Sequence, residues 1–424
     1  MEQTDQYIEH VTNLGDKETV IASEDILSDR GVKLLPKGAS INRSRLGQLQ
    51  KHKLEQEVDQ VIYLEDALDS AKIMKHFQQF QDQHPHLKAS LKLLKNQEKA
   101  IGYFGRIRLN TLMKNKLTVC FKEKPHLFEH SMLVAYASIS VADHLSISNE
   151  DKDDLITAAM FHDLGMLHIH NDMEHIKEKL TSEQERQIAS HPVIMHRILD
   201  QFPEYHQVAE LILQHHERMD GSGYPKGLTA EKTSLISQTL QAAECAISIY
   251  QRQGYHFAIS VLKTHMGSQF NTEISQQLVR ILNAWHEASN KVSVPHDIRH
   301  IKELQKALES SMYMIVKVLP SLKNPFATAP AVAHLATRIK QIQVALANVG
   351  LDQGRADAAL KYSEVDDELL LEVGDIIYEC IFQLMDALRV FRRQLHPDTR
   401  VPGDFNQWLK QTESSFSNFM LKNR

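Results

Sequence analysis

Backbone breakers are scarce in this chain. Its 424 residues include only 16 Gly and 12 Pro, together about 7% where an average protein has near 12%. That scarcity excludes collagen-like repeats, low-complexity linkers and a turn-rich all-β fold, and it favours long helices. Cysteine is scarcer still: Cys120, Cys245 and Cys380 stand far apart and make neither a disulfide framework nor a CxxC site. No apolar run approaches the roughly 18 residues of a membrane span. The opening MEQTDQYIEH carries two Glu and one Asp and no apolar core for a signal peptide. A general basic field is missing as well, since the net charge is −6; this argues against a DNA-binding protein. The expectation is a cytoplasmic, mainly α, multi-domain protein, with about three domains as the length prior.

One residue type is abundant. There are 24 His, more than the Gly count, and twelve of them fall between His126 and His216. Imidazole is the commonest metal ligand and carries protons near neutral pH, so chemistry is expected in that stretch.

The pattern divides the chain into four parts: residues 1–65, 66–125, 126–286 and 290–424. In the first, VIASEDILSDRGVKLLPKGASI has short apolar runs broken at Asp29-Arg30-Gly31 and Pro36-Lys37-Gly38, which predicts a hairpin. NRSRLGQLQKHKLEQE then has the composition of a helix and VDQVIYL that of a strand, giving a small β-rich module. Residues 66–125 predict a connecting helical hairpin with Ile73, Phe77 and Phe80 at helical spacing, and the basic residues from Lys88 to Lys124 on a solvated face. In the last part Leu369, Val373, Ile376, Cys380, Leu384, Leu388 and Phe391 recur every three or four residues and the helix should stop before His396-Pro397. A C-terminal helical bundle is expected there, its apolar faces serving as core or as a homodimer contact.

The His-rich third part holds a recurring arrangement. His126 and His130 are one turn apart on one helical face. LITAAMFHDLG delivers His162-Asp163 at the end of an apolar helix. His191 precedes Pro192, VAELILQHHERMDGSGYP delivers His215-His216, and LQAAECAISI places Glu244 in an apolar run. Five helices thus push His or carboxylate out of apolar surroundings, where an unpaired charge would be costly and a metal would satisfy it. The donors are nitrogen and oxygen without thiolate, which favours Fe, Mn or another borderline first-row ion. Seven or eight ligands exceed the needs of one ion, so two are implied, with Asp163 suited to bridge them. Such a pair suits phosphodiester hydrolysis, one ion generating hydroxide and both neutralising charge.

HDLG at 162–165 together with HHERMDGSGYP at 215–225 resembles the HD-GYP family of bacterial cyclic-di-nucleotide phosphodiesterases. The likeness runs from residue 126 to about 285 and includes LTSEQERQIASHP and THMGSQFNTEI; residues 20–64 resemble the β-rich module that often precedes this domain. The resemblance implies an HD-type helical metal-hydrolase fold. It implies that His130, His162, Asp163 and Glu244 hold one ion, and that Asp163 bridges to a second held by His191, His215 and His216. His162 and Asp163 are the implied catalytic pair. His126 stands where members with a third metal carry Glu, so binuclear and trinuclear sites both remain open. The implied reaction is metal-dependent hydrolysis of cyclic di-GMP to linear pGpG, to GMP, or to both.

Three positions depart from the family pattern. Met166 replaces the usual lysine of HD-x-G-K, and apolar Met cannot neutralise a phosphate. Ala243-Glu244 supplies Glu where Asp is usual. Gln253-Gly254-Tyr255-His256 stands for Arg-Pro-Tyr-Arg and removes two more cations. Arg218, Lys226 and Arg252 are the candidates to replace them on the substrate, with Tyr224 stacking on a purine or meeting a partner domain. These changes leave two alternatives: a hydrolase of another cyclic dinucleotide such as cyclic GMP-AMP, or a weakly active receptor or scaffold for cyclic di-GMP or a GGDEF-domain protein. His144, His168, His170, His175, His196 and His206 read as surface or supporting residues without an assigned role.

Overall fold

The computed structural model describes residues 6–56, 58–84, 87–88, 101–169, 181–289, 297–318, 325–348, 350–351 and 367–394, with 405, 407, 408, 412 and 416. The chain divides into two compact units, 1–248 with 276–289 and 249–275 with 290–424. The division differs from the four sequence stretches in a physical way. The N-terminal module shares a unit with the His-rich helices, whereas residues 249–275 group with the C-terminal helices.

In the first unit, helix α1 (Gln6–Gly15) buries Tyr7, Val11 and Leu14. Strands β1 (Val20–Ala22) and β4 (Ile62–Leu64) pair antiparallel with Val20 opposite Leu64 and Ala22 opposite Ile62. Strands β2 (Ile26–Leu27) and β3 (Lys33–Leu35) form the expected hairpin about Asp29–Gly31, closed by the Ser28 N–H donating to Val32 O at 2.9 Å. The helix expected after Ile41 is far shorter: a 3-10 turn at Arg43–Arg45 and one α-turn, α2 (Leu46–Leu49). Beyond it LQKHKLEQE offers apolar residues only at Leu49 and Leu54, too few for a buried stripe. Within VDQVIYL only Ile62–Leu64 is strand, and Val58–Gln60 is a 3-10 turn.

Helices α3 (Ser70–Gln83) and α4 (Thr111–Glu123) start at side-chain caps. Asp69 accepts from Lys72 N at 2.8 Å and Asn110 from Met113 N at 2.9 Å. The solvated-face expectation for Lys88–Lys124 fails at Lys116, which is fully buried against a carboxylate. Helices α5 (Pro125–His144) and α6 (Asn149–Phe161) are buried on every side over Ser131–Ala142 and Asp154–Phe161. They are followed by α7 (Ser182–Ile188), α8 (His191–Leu199), α9 (His206–Gln214) and α10 (Leu235–Gln253). Trp285, on α12 (Thr272–Ser289), stacks on Tyr136 of α5 with centroids 6.3 Å apart, and both are buried.

The second unit contains α11 (Tyr255–His265), α13 (Ile298–Val318), α14 (Pro325–Asn348) and α15 (Asp367–Gln394). Leu304, Leu308 and Ile315 meet Leu335, Ile339 and Ile342, and all pack with Ile377, Leu384 and Leu388 in one core. Val373, Ile376, Cys380 and Phe391 lie in the same core, as their spacing predicts, and Leu369 packs beside it. His396 and Pro397 fall outside the described residues. Among the described residues no helix is long and apolar enough to cross a membrane.

Truncating fully buried Leu384 removes contacts from three helices at once. Leu384→Ala is expected to destabilise the C-terminal unit by about 2–5 kcal/mol, read as a lowered urea midpoint for that unit's transition.

Candidate metal centre

The ligand candidates sit at helix ends because their own ring nitrogens complete those ends. A helix leaves its last carbonyls without N–H partners. His162 follows α6 and its Nδ1 donates to Ala159 O at 2.8 Å; His215 follows α9 and donates to Ile212 O at 2.6 Å; His191 donates to Ile188 O, the last residue of α7, at 2.7 Å. A carbonyl can only accept, so each Nδ1 carries a proton and each ring turns its Nε2 toward the interior.

Those nitrogens converge. His191 Nε2 lies 3.1 Å from His215 Nε2 and 3.1 Å from Asp163 Oδ1, with His215 Nε2 3.8 Å from the same oxygen. On the other side of Asp163, Oδ2 is 3.4 Å from His162 Nε2 and 3.8 Å from His130 Nε2. Glu244 Oε2 closes this second group, 2.8 Å from His130 Nε2 and 3.3 Å from His162 Nε2. His216 joins the first group, its ring 4.0 Å from that of His215 between centroids. Two donor sets of the kind that hold a metal ion therefore share Asp163: one of Asp163, His191, His215 and His216, the other of His130, His162 and Asp163 with Glu244 beside them.

Acceptor lone pairs facing one another in a buried space repel unless a cation lies between them. His162 Nε2 is wholly buried and makes no hydrogen bond, as expected of an atom whose partner is a metal ion. The donor set thus fits one or more metal ions. The titration directions agree with a site built around positive charge. Burial opposes ionisation of Asp163, yet His162 and His191 outweigh it and hold the carboxyl well below its usual range. Glu244 is likewise held low against burial by His130 and His162. Burial opposes charge on His162 and His130 too, but the two carboxylates raise both. His215 is driven well down by burial and by neighbouring imidazoles, and His216 falls to about 3 for the same reasons. His215 and His216 are therefore neutral donors, the form a metal requires.

Side chains outside the ligand set hold the geometry. Ser248 Oγ donates to Glu244 Oε1 at 2.7 Å, leaving Oε2 for the cluster. Gly165 lets the 3-10 helix Leu164–His168 lie against the start of α8, for a Cβ there would meet His191 O at 2.2 Å. Glu217 is fully buried and its two oxygens accept from Lys226 N at 2.7 Å and Leu228 N at 2.8 Å, clamping the DGSGYP loop. Tyr224 N donates to His216 O at 3.1 Å, and its ring stacks on His216 with centroids 4.7 Å apart. Burial pushes the Tyr224 hydroxyl far up, so it is a neutral donor. Gly223 is required beneath this loop, since a Cβ would meet His216 O and the Glu217 Cα at 2.4 Å.

Seven of the sequence-derived ligands, His130, His162, Asp163, His191, His215, His216 and Glu244, come together. His126 does not: its side chain is fully exposed and faces Glu129, because it occupies the first turn of α5, one turn beyond the cluster. Arg218 is half-buried and donates to Glu217 O at 2.7 Å, while Lys226 and Arg252 are exposed. Met166 is half-buried within the 3-10 helix. Glu217 and Ser248 escaped the sequence reading; the only signal was a carboxylate directly after His215-His216 and a serine four residues after Glu244.

Comparison with known proteins agrees with this geometry. Residues 118–260 match the HD domain family, beginning on α4 and ending within α11. The cyclic di-GMP phosphodiesterase PdeB of Borreliella burgdorferi is 30% identical over 126 residues, 30% of this chain and 33% of its own. Residues 118–260 are an HD domain. Two 3'3'-cGAMP-specific phosphodiesterases of Vibrio cholerae also match this chain. Number 3 is 26% identical over 38% of this chain and 36% of its own, and number 1 is 28% identical over 45% and 44%. The chain thus spans less than half the length of each of these relatives.

Two substitutions test the supports of the site. Gly165→Ala forces the Asp163 segment away from His191 and should lower bound metal to less than half that of the parent, measured by elemental analysis, while helicity by circular dichroism stays unchanged. Glu217→Gln keeps the shape but its amide nitrogen cannot accept, so one loop N–H loses its partner at a cost of about 1–3 kcal/mol. Faster limited proteolysis within residues 217–228 is the expected result.

Proposed function

We propose that this chain is a cytoplasmic, metal-dependent phosphodiesterase that hydrolyses cyclic di-GMP. The observation that supports this most is the pair of donor sets sharing Asp163, because a phosphodiester needs charge neutralised at both attacking and leaving oxygens. In this reading His130, His162, Asp163 and Glu244 hold one ion and Asp163, His191, His215 and His216 the other, with Fe or Mn suited to the nitrogen and oxygen donors. When bound, such ions supply Lewis acidity toward the phosphate and lower the pKa of water. The protein's own groups then orient and enclose. Tyr224, stacked on His216, offers an aromatic face to a base, and its neutral hydroxyl donates toward a phosphate or base edge. Arg218 is the half-buried cation of the loop.

A second reading, hydrolysis of a cyclic GMP-AMP, is favoured by the names of the two Vibrio cholerae relatives and by Met166 at the usual lysine position. The two readings differ in which cyclic dinucleotide is opened, not in how the ions are held.

Purified protein should carry close to two transition-metal ions per chain, most of them lost in Asp163→Ala, and should convert cyclic di-GMP to linear products resolved by chromatography. Preference for a mixed cyclic dinucleotide in the same panel selects the second reading, and no turnover of any member with both ions bound overturns both. A charge-assisted phosphate contact is worth about 1.5–3 kcal/mol, or roughly ten- to hundred-fold in rate. Met166→Lys is therefore expected to raise cyclic di-GMP hydrolysis by about that factor, and Met166→Leu to leave it near the parent level. Equal rates in all three would place the side chain away from the substrate.

A further inference from the structure

A second buried polar cluster lies beside the metal centre and belongs to neither donor set. Lys116 of α4 and Asp59 of the Val58–Gln60 turn are both without exposed surface and pair at 2.8 Å between Nζ and Oδ2. The Tyr7 hydroxyl of α1 donates to the other Asp59 oxygen. Lys116 Nζ sits 3.7 Å from the centre of the Tyr7 ring and 3.1 Å from His168 Nε2. His168 in turn stacks on Tyr7, with centroids 5.1 Å apart and planes 20° apart. Asn115 anchors the turn, donating from Nδ2 to Asp59 O at 2.7 Å and Ile62 O at 3.1 Å.

The place of His168 gives the cluster its meaning. It ends the 3-10 helix that begins immediately after Asp163, and that helix is tied by Met166 N to Asp163 O at 2.9 Å and Ile169 N to Met166 O at 3.1 Å. Four residues therefore separate the shared carboxylate from a ring gripped on one side by an ammonium and on its face by an aromatic. An ammonium only donates, so His168 Nε2 is its acceptor and the ring has one orientation. A buried ion pair adds little stability over apolar residues of similar size; what Lys116 supplies that an apolar side chain lacks is this directional grip. Lys116 also lies on the helix leading into α5, which carries His130.

We infer that His168 is a positioning residue: the Tyr7–Asp59–Lys116 cluster, drawn from the N-terminal module and α4, holds it and so sets the place of the Asp163 carboxylate and the affinity of the centre for metal. This rests on the metal reading above. By it, the N-terminal module is part of how the centre is built.

The test uses full-length protein, Mn2+ affinity by titration, and the visible spectrum after Co2+ loading, which reports ligand geometry apart from catalysis. His168→Leu removes the acceptor and should weaken Mn2+ binding about tenfold, within the range for outer contacts of metal ligands, and shift the Co2+ bands. His168→Gln keeps an acceptor for Lys116 and should restore much of the affinity. The triple replacement Tyr7→Phe, Asp59→Leu and Lys116→Met removes both charges together, so no lone buried ion remains; it should keep the melting temperature near that of the parent while weakening Mn2+ as His168→Leu does. Leu35→Ala, a buried residue of the same module that is not a member of the cluster, should lower stability and leave both metal readouts unchanged. Folded His168→Leu and triple variants that match the parent in affinity and spectrum overturn the inference, as does equal weakening by Leu35→Ala. A parent that takes up neither ion removes the metal reading, and this inference with it.

Discussion

The centre depends on one arrangement: imidazole rings that finish helix ends through Nδ1 and thereby turn Nε2 inward. The carbonyls of Ala159, Ile188 and Ile212 are groups that a helix terminus leaves unsatisfied. Meeting that need with histidine fixes the tautomer, the ring plane and the direction of the second nitrogen in one contact. Secondary structure and metal ligation are thus the same requirement at three points. The loop clamped by Glu217 and the close approach at Gly165 complete the assembly by bringing those ends together.

Much of this was legible in the sequence because its signals are local. A histidine at the end of an apolar helix betrays itself by context, and seven of eight ligand candidates converge as their spacing predicts. His126 fails because helical periodicity gives the face but not the depth along it; one turn up α5, the same face is already in solvent. Hydrophobic spacing likewise gave the core of α15 correctly, whereas composition overestimated the helix after Ile41, where polar residues leave nothing to bury.

What stayed hidden needs partners distant in sequence. Lys116 reads as one of many basic residues, and only folding brings it to Asp59, 57 positions earlier, and to the imidazole of His168. Glu217 reads as a loop acid until its two oxygens are seen on the N–H groups of Lys226 and Leu228. Ligands announce themselves by type; the residues that hold ligands in place do so by contact. Unit boundaries were obscure for a related reason, since residues 276–289 return to the first unit after residues 249–275 have joined the second.

That return has a consequence for the order in which the protein is made. Tyr136 is covered by Trp285, which emerges from the ribosome almost 150 residues later. The first unit cannot close its interior on the strength of the family-matched stretch alone, which ends at residue 260. During synthesis the site-bearing helices must wait, partly open, while a segment destined for the other unit goes by. The ligand framework is then sealed late, by an aromatic residue stacked on the helix that carries His130.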